Sequence, residues 1–368
     1  MKEKIIVLII LTALFLSGSY YETVEKQLDA AEKSGFTDSV SDETLDILKK
    51  IGIDGLSYEK LLSLSFKDIF SLLYESFIKK INEPIKAVFS ITAAAIICSL
   101  AQSFCEISSP ANKIINAVAA LSASSVFLLP MKNSISSSVA VIGECSDFML
   151  SFIPVYSSAI IASGNVSSAT GFRTLMLSAV TVISRLAGEI IAPLICIYLA
   201  LCIASSVSDV NISEISKTVK NFSVWLLTFS ATVFSGILGL GTLVASSGDK
   251  ALSKTAKLFI GSVIPIIGGT VSDAFSTLKG CLEITRNVLG TYAIVVIAVI
   301  FLPSAISLLS WKICLSVSSG ISGLLESKIL SSLLSSASAV MGILLALVVI
   351  TAMMFIFSVS IMLMTGGG

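Results

Sequence analysis

The side chains that carry most enzyme chemistry are missing from this sequence or scattered through it. Histidine is absent altogether, which removes His-based triads, imidazole metal ligands and imidazole pH switches at once. The seven cysteines, Cys98, Cys105, Cys145, Cys196, Cys202, Cys281 and Cys314, all fall in apolar sequence, and no two form a CxxC pair. They read as small buried hydrophobes, with no metal cluster and no disulfide framework. There is no phosphate-cradling glycine loop and no nucleophile–base spacing, and serine is too abundant for a Ser–Lys dyad to stand out. The expectation is a protein that is not an enzyme and uses no cofactor. What remains is charge in apolar surroundings: Arg185 and Glu189 four residues apart, Asp147 before one Ile-Pro element, and Asp273 after another. Ionisable groups in lipid are costly and tend to line ion or substrate paths. The plainer reading makes Arg185 and Glu189 a loop between 174–184 and 190–208, and Asp273 an interfacial helix cap.

Membrane helices must position these charges. The chain has 368 residues, 55% hydrophobic and 13% charged, with a mean hydropathy of +0.96, whereas globular domains carry about 25% charged residues. Its 24 basic and 24 acidic residues cancel, so no nucleic-acid partner is indicated. Residues 1–20 read as a signal peptide: Lys2 and Lys4, an apolar core from Ile5 to Leu16, then Ser17-Gly18-Ser19. Residues 21–86 hold 9 Lys against 13 Asp and Glu and read as an acidic, helical, extracytoplasmic segment. Within it, Ser41-Asp42-Glu43 supplies N-cap chemistry for a helix to Lys50, with Gly52 and Gly55 breaking it. Residues 87–368 read as a polytopic helical membrane domain. Charge-free runs at 87–105, 114–131, 148–172, 190–208, 221–248, 287–311 and 329–368 reach spanning length, and 258–272 falls short. The fold class is therefore all-α, with about six to eight spans. Counting loops from an outside 21–86 puts Lys113, Arg173, Lys250, Lys254, Lys257, Lys312 and Lys328 inside. It leaves Lys132, Lys217, Lys220, Lys279 and Arg286 outside, a slight positive-inside bias.

Two regions of the membrane domain correspond. Phe152-Ile153-Pro154-Val155-Tyr156 matches Val263-Ile264-Pro265-Ile266-Ile267, each followed by small residues, an arginine and a span holding one proline, Pro193 or Pro303. Proline removes a ladder hydrogen bond and glycine permits unwound backbone, so both places are candidate discontinuous helices of an internal repeat. The candidate gate or conduit elements are Pro154, Gly164, Arg173, Pro265, Gly268, Gly269, Asp273 and Arg286. The Ser, Gly, Ala and Thr content of the runs suits close helix packing, or alternatively a polar lining.

A separate stripe of Phe66, Ile69, Phe70, Leu73, Phe77 and Ile78 recurs at helical spacing. It reads as the core of a small bundle, as an interfacial helix, or as a docking face for another protein.

The segments FIPVYSSAIIASGNVSSATGF (152–172) and IGSVIPIIGGTVSDAFSTLKGCLEITRNVLG (260–290), behind a signal peptide and a small acidic helical segment, resemble the stage III sporulation protein AE family of endospore-forming Firmicutes. The resemblance runs through almost the whole chain. It implies a multi-pass subunit of the channel, or feeding-tube, complex that links the mother cell to the engulfed forespore and supports late forespore development. The implied partners are other membrane and ring-forming proteins of the same operon and a forespore partner. The implied location is the mother-cell-derived membrane around the forespore. It carries over no catalytic residue. The alternative is a stand-alone secondary transporter or permease, with its transport site at the proline-broken helices.

Overall fold

In the computed structural model, the described residues are 28–29, 31–53, 55–56, 66–104, 110–162, 166–207, 212–237 and 268–365. They are all-helical, with no strand among them. The expected signal peptide, 1–20, and the lysines at 250, 254 and 257 lie outside them.

The N-terminal segment follows its local chemistry. Gly35 takes a left-handed φ of 79° ahead of a 3-10 turn, Phe36–Ser39. Helix α1, Asp42–Lys50, starts at Ser41, whose Oγ accepts from the Thr44 N–H at 3.4 Å. Asp42 and Glu43 at its start and Lys49 and Lys50 at its end complement the helix dipole. At its end the Ile53 N–H bonds Leu48 O and the Gly52 N–H bonds Lys49 O. That is a Schellman pair, with Gly52 at φ 86°.

The long helices follow: α2 (Phe66–Ser103), α3 (Pro110–Ala162), α4 (Val166–Arg185), a π-helical segment (Leu186–Ile191), α5 (Ala192–Val207), α6 (213–237), α7 (Gly268–Leu324) and α8 (Lys328–Thr365). Helix α2 crosses position 86/87 without interruption, so the amphipathic stripe and the first apolar run lie on one rod. Five stretches among the described residues are long and apolar enough to cross a membrane: Lys80–Ser103, Ala111–Ile161, Ala169–Val207, Asn287–Leu324 and Lys328–Leu363.

This arrangement changes how the runs divide into helices among the described residues. The runs 114–131 and 148–162 are parts of one helix, because Lys132, Glu144 and Asp147 interrupt the hydropathy but not the backbone ladder. The stretch between 174–184 and 190–208 is a π turn, with Arg185 and Glu189 exposed on a continuous helical rod. Lys132 and Lys312 are likewise helix-interior, so the inside/outside loop tally loses its basis. The 53 residues of α3 extend about 80 Å at 1.5 Å per residue. A hydrocarbon core is about 30 Å thick, so much of α3 has to lie beyond it.

Side-chain contacts fix how the rods run. Helices α7 and α8 form an antiparallel hairpin: the Ser319 and Ser331 hydroxyls each donate to the other's carbonyl at 2.8 and 2.9 Å, and Ser338 Oγ donates to Lys312 O at 3.0 Å. The turn between them is a second Schellman pair, Ser327 N–H to Ser322 O and Glu326 N–H to Gly323 O, and here the left-handed position is Glu326, φ 59°. Helix α2 runs beside α7 in the same direction, with Ser99 Oγ donating to Leu325 O at 3.2 Å. Helix α3 returns antiparallel to α2, with Gln102 Nε2 donating to Asn116 Oδ1 at 2.9 Å. The buried core is continuous through α3, α5, α7 and α8.

Candidate functional site

Glu144, one of the charges that interrupt the runs on α3, is where the N-terminal segment attaches. Its Oε1 accepts from the Ser41 N–H at 3.0 Å and from the Thr44 hydroxyl at 2.8 Å. The Ser39 and Ser151 hydroxyls pair at 2.8 Å two turns further along α3. The carboxylate thus satisfies orphan donors at the start of α1 and complements that helix end. Nothing in the sequence around Glu144 marks it out. Its partner is about a hundred residues away, and no local spacing could reveal the pair.

The expected gate elements separate. Pro154 does not break its helix: α3 continues to Ala162, and the proline is half-buried in it. Around it Phe148, Phe152 and Tyr156 stack at one-turn intervals, with centroids 5.6 and 5.4 Å apart, all fully buried. The Phe-Ile-Pro-Val-Tyr motif is therefore a core ladder, since aromatics four residues apart meet on one helix face. Pro84, Pro130 and Pro303 are also helix-interior. Pro193 follows the π segment, whose widened ladder bonds the Ala192 N–H to Ala187 O just ahead of a residue that cannot donate. Arg173 is exposed on α4. Gly164 and Pro265 lie outside the described residues. Gly268, Gly269, Asp273 and Arg286 all fall on the first part of α7, where the backbone alone is described, and Asp273 sits within the helix and not at its cap.

Of the stripe on α2, Ile78 is exposed at 44%, while the side chains of Phe66, Ile69, Phe70, Leu73 and Phe77 are outside the described set. Further along the same helix the exposed surface becomes mostly apolar and free of charge beyond Lys86, with Phe89 at 72% and Ile97 at 67%. Many buried hydroxyls turn back onto their own helix and do not line a path. Ser124, Ser310, Ser318 and Thr351 each donate to the carbonyl four residues back on their own helix, at 2.7–3.0 Å. This satisfies a buried O–H without an interhelical partner and keeps the helix surfaces small.

Two cavities flank α5. One, of about 660 Å³, is walled by Leu121, Leu128, Leu199 and Ile203, with Lys132 at its edge. The other, of about 400 Å³, lies between α5, α6 and α8 and is lined by lysines and serines. No group of His, Cys, Asp or Glu among the described residues is arranged to hold a metal ion.

Comparison with known proteins gives the assembly a family. The profile described as stage III sporulation protein AE matches residues 53–366, from just beyond α1 to the end of α8. The stage III sporulation protein AE of Bacillus subtilis (strain 168) is 25% identical over 178 residues, covering 48% of this chain and 45% of that protein. The match thus takes in less than half of that relative's length. No solved structure matches. With its profile spanning every long helix described above, the chain belongs to the stage III sporulation protein AE family.

Proposed function

We propose that this chain is a membrane subunit of the sporulation channel complex that joins the mother cell to the engulfed forespore. In this reading it resides in the mother-cell-derived membrane around the forespore and serves late forespore development. Its partners are other membrane and ring-forming proteins of the same operon and a forespore protein. The observation that carries the reading is the family profile over residues 53–366, which brings a sporulation role. The five helices of membrane-spanning length and composition support the membrane setting, and the largely apolar outer surface of α2 beyond Lys86 suits a lipid or subunit environment. Assembly comes before catalysis because the described residues bring together no acid–base pair, activated nucleophile or metal cluster. The stand-alone transporter reading drew on unwound backbone at Pro154 and Pro265; α3 is helical at Pro154, and Pro265 lies outside the described residues.

A clean in-frame deletion tests the proposal. Development is expected to stall after engulfment, and a tagged copy that restores it is expected to co-purify with other products of the operon. Normal spores from the deletion would sink the proposal. Solute flux by the purified chain in liposomes, with sporulation intact, would favour the transporter.

A further inference from the structure

The smaller of the two cavities beside α5 carries more charge than its surroundings neutralise. Its wall includes Lys217, Lys220 and Lys328 together with six serines and Tyr198, and no carboxylate. Lys217 pairs with Glu214 at 2.8 Å, but that pair is solvent-exposed on both sides and worth little. Lys220 and Lys328 make no ion pair among the described residues. Several hydroxyl protons of the wall are already committed. Ser206 Oγ donates to Cys202 O at 2.9 Å, Ser336 Oγ donates to Ser332 O at 3.0 Å, and Ser216 Oγ lies 3.3 Å from Cys202 Sγ. The free donors facing the cavity are therefore chiefly ammonium groups, set in a wall that hydroxyls keep wettable.

The chemistry that fits is a compact oxyanion with several acceptor oxygens, which suits three convergent lysines acting as point charges. The cavity stands where α5 ends and α6 and α8 begin, so the positive ends of two long helices add to the lysines and the negative end of α5 offsets part of that. Ile329 is part of the wall and is exposed, and Ile215 and Val207, the sequence neighbours of wall residues Ser216 and Ser206, are exposed too, Val207 on the larger cavity. A cationic cleft with an apolar rim, at the ends of helices of spanning length, is the arrangement that holds an anionic headgroup while its acyl chains lie along the protein.

We propose that this cleft is a phosphate site, filled by the phosphodiester of an anionic phospholipid headgroup or by free phosphate, with Lys220 and Lys328 as its principal ligands and Lys217 assisting.

The experiment uses the full chain purified in detergent, with thermal unfolding and native mass spectrometry as readouts. Phosphatidylglycerol, phosphatidylcholine and inorganic phosphate are titrated in separate arms. Phosphatidylglycerol is expected to raise the melting temperature of the wild type and to be retained in the mass spectrum. The double variant Lys220→Gln/Lys328→Gln should need about tenfold or more lipid for the same shift, as expected for losing charge-assisted contacts. The control Lys86→Gln/Lys132→Gln removes the same charge from exposed positions elsewhere and should respond as wild type. Both double variants should match the wild-type melting point without ligand, because these four ammonium groups make no ion pair among the described residues. A shift from inorganic phosphate alone, lost in the cleft variant, identifies free phosphate as the source. A shift confined to phosphatidylglycerol identifies the headgroup. The proposal is overturned if the cleft variant and the wild type respond alike, if the control variant loses the response equally, or if neither anion shifts the wild type more than phosphatidylcholine does.

Discussion

The α7/α8 hairpin and helix α2 are both apolar enough to cross a membrane, yet they do different work. About half of the most apolar stretch of α7 and of α8 is buried within the chain, against about a fifth for α2. In the hairpin, Leu334, Ala337, Val340 and Leu344 are fully enclosed. On α2, only Ile91 and Ala95 of the upper stretch are comparably enclosed, while Phe89, Ile96, Ile97 and Leu100 face outward. Hydropathy measures what a side chain avoids and not what it touches. Lipid and protein interior satisfy it equally, and their difference appears only when packing is perturbed.

The largest expected effect is a charge placed inside the hairpin. Leu344→Lys should cost about 3 kcal/mol or more, because the ammonium would have no partner in that layer. Loss of accumulation in the membrane and protease sensitivity of α7 and α8 would report it. Next comes a matched pair of alanines. Ala337 is wholly buried in α8 and Ala93 is exposed on α2. Overpacking at Ala337→Leu should destabilise by about 1–3 kcal/mol, whereas Ala93→Leu should stay within about 0.5 kcal/mol. Equal melting temperatures for the two variants would erase the distinction between the helices.

The N-terminal segment sharpens the comparison differently, since polar contacts to Glu144 attach it alongside the buried Val40, Leu48 and Ile53. Glu144→Ala removes the acceptor for Ser41 and Thr44 and should loosen that segment by about 1–2 kcal/mol. Hydrogen exchange should rise in α1 and leave the hairpin unchanged. Glu144→Gln, which keeps an acceptor oxygen, should recover part of the loss.

The smallest effect has the opposite sign. Two helix ends use the same Schellman geometry, one with Gly52 in the left-handed position and one with Glu326. Relieving Glu326 of a cost of roughly 1 kcal/mol, less the entropy glycine adds to the unfolded chain, leaves Glu326→Gly stabilising by about 0.5 kcal/mol. Thermal unfolding of the variant would show a small rise.

These cases also mark how far the sequence could be read. The α1 cap at Ser41, its stop at Gly52 and the all-helical apolar character were legible, because capping, left-handed glycine and hydropathy are local properties. The number of rods was not. Lys132, Glu144 and Asp147 break a count of uncharged residues, but a charge on the outer face of a helix does nothing to its backbone hydrogen bonds. Arg185 and Glu189 misled in the same way, and the π turn that contains them leaves no compositional trace. Pro154 marked an important place for the wrong reason: the aromatics at 148, 152 and 156 pack the core around a proline that α3 absorbs. The lysine cleft needed three helix ends brought together, and 112 residues separate Ser216 from Lys328.

The most direct test of the account places a photo-crosslinking amino acid at Ile97 on α2 or at Leu334 on α8 in sporulating cells. The account predicts that position 97 forms adducts with molecules outside this chain in the membrane assembly, while position 334 crosslinks only to α7 and other parts of the same chain. Intermolecular adducts from position 334, with position 97 silent, would contradict it.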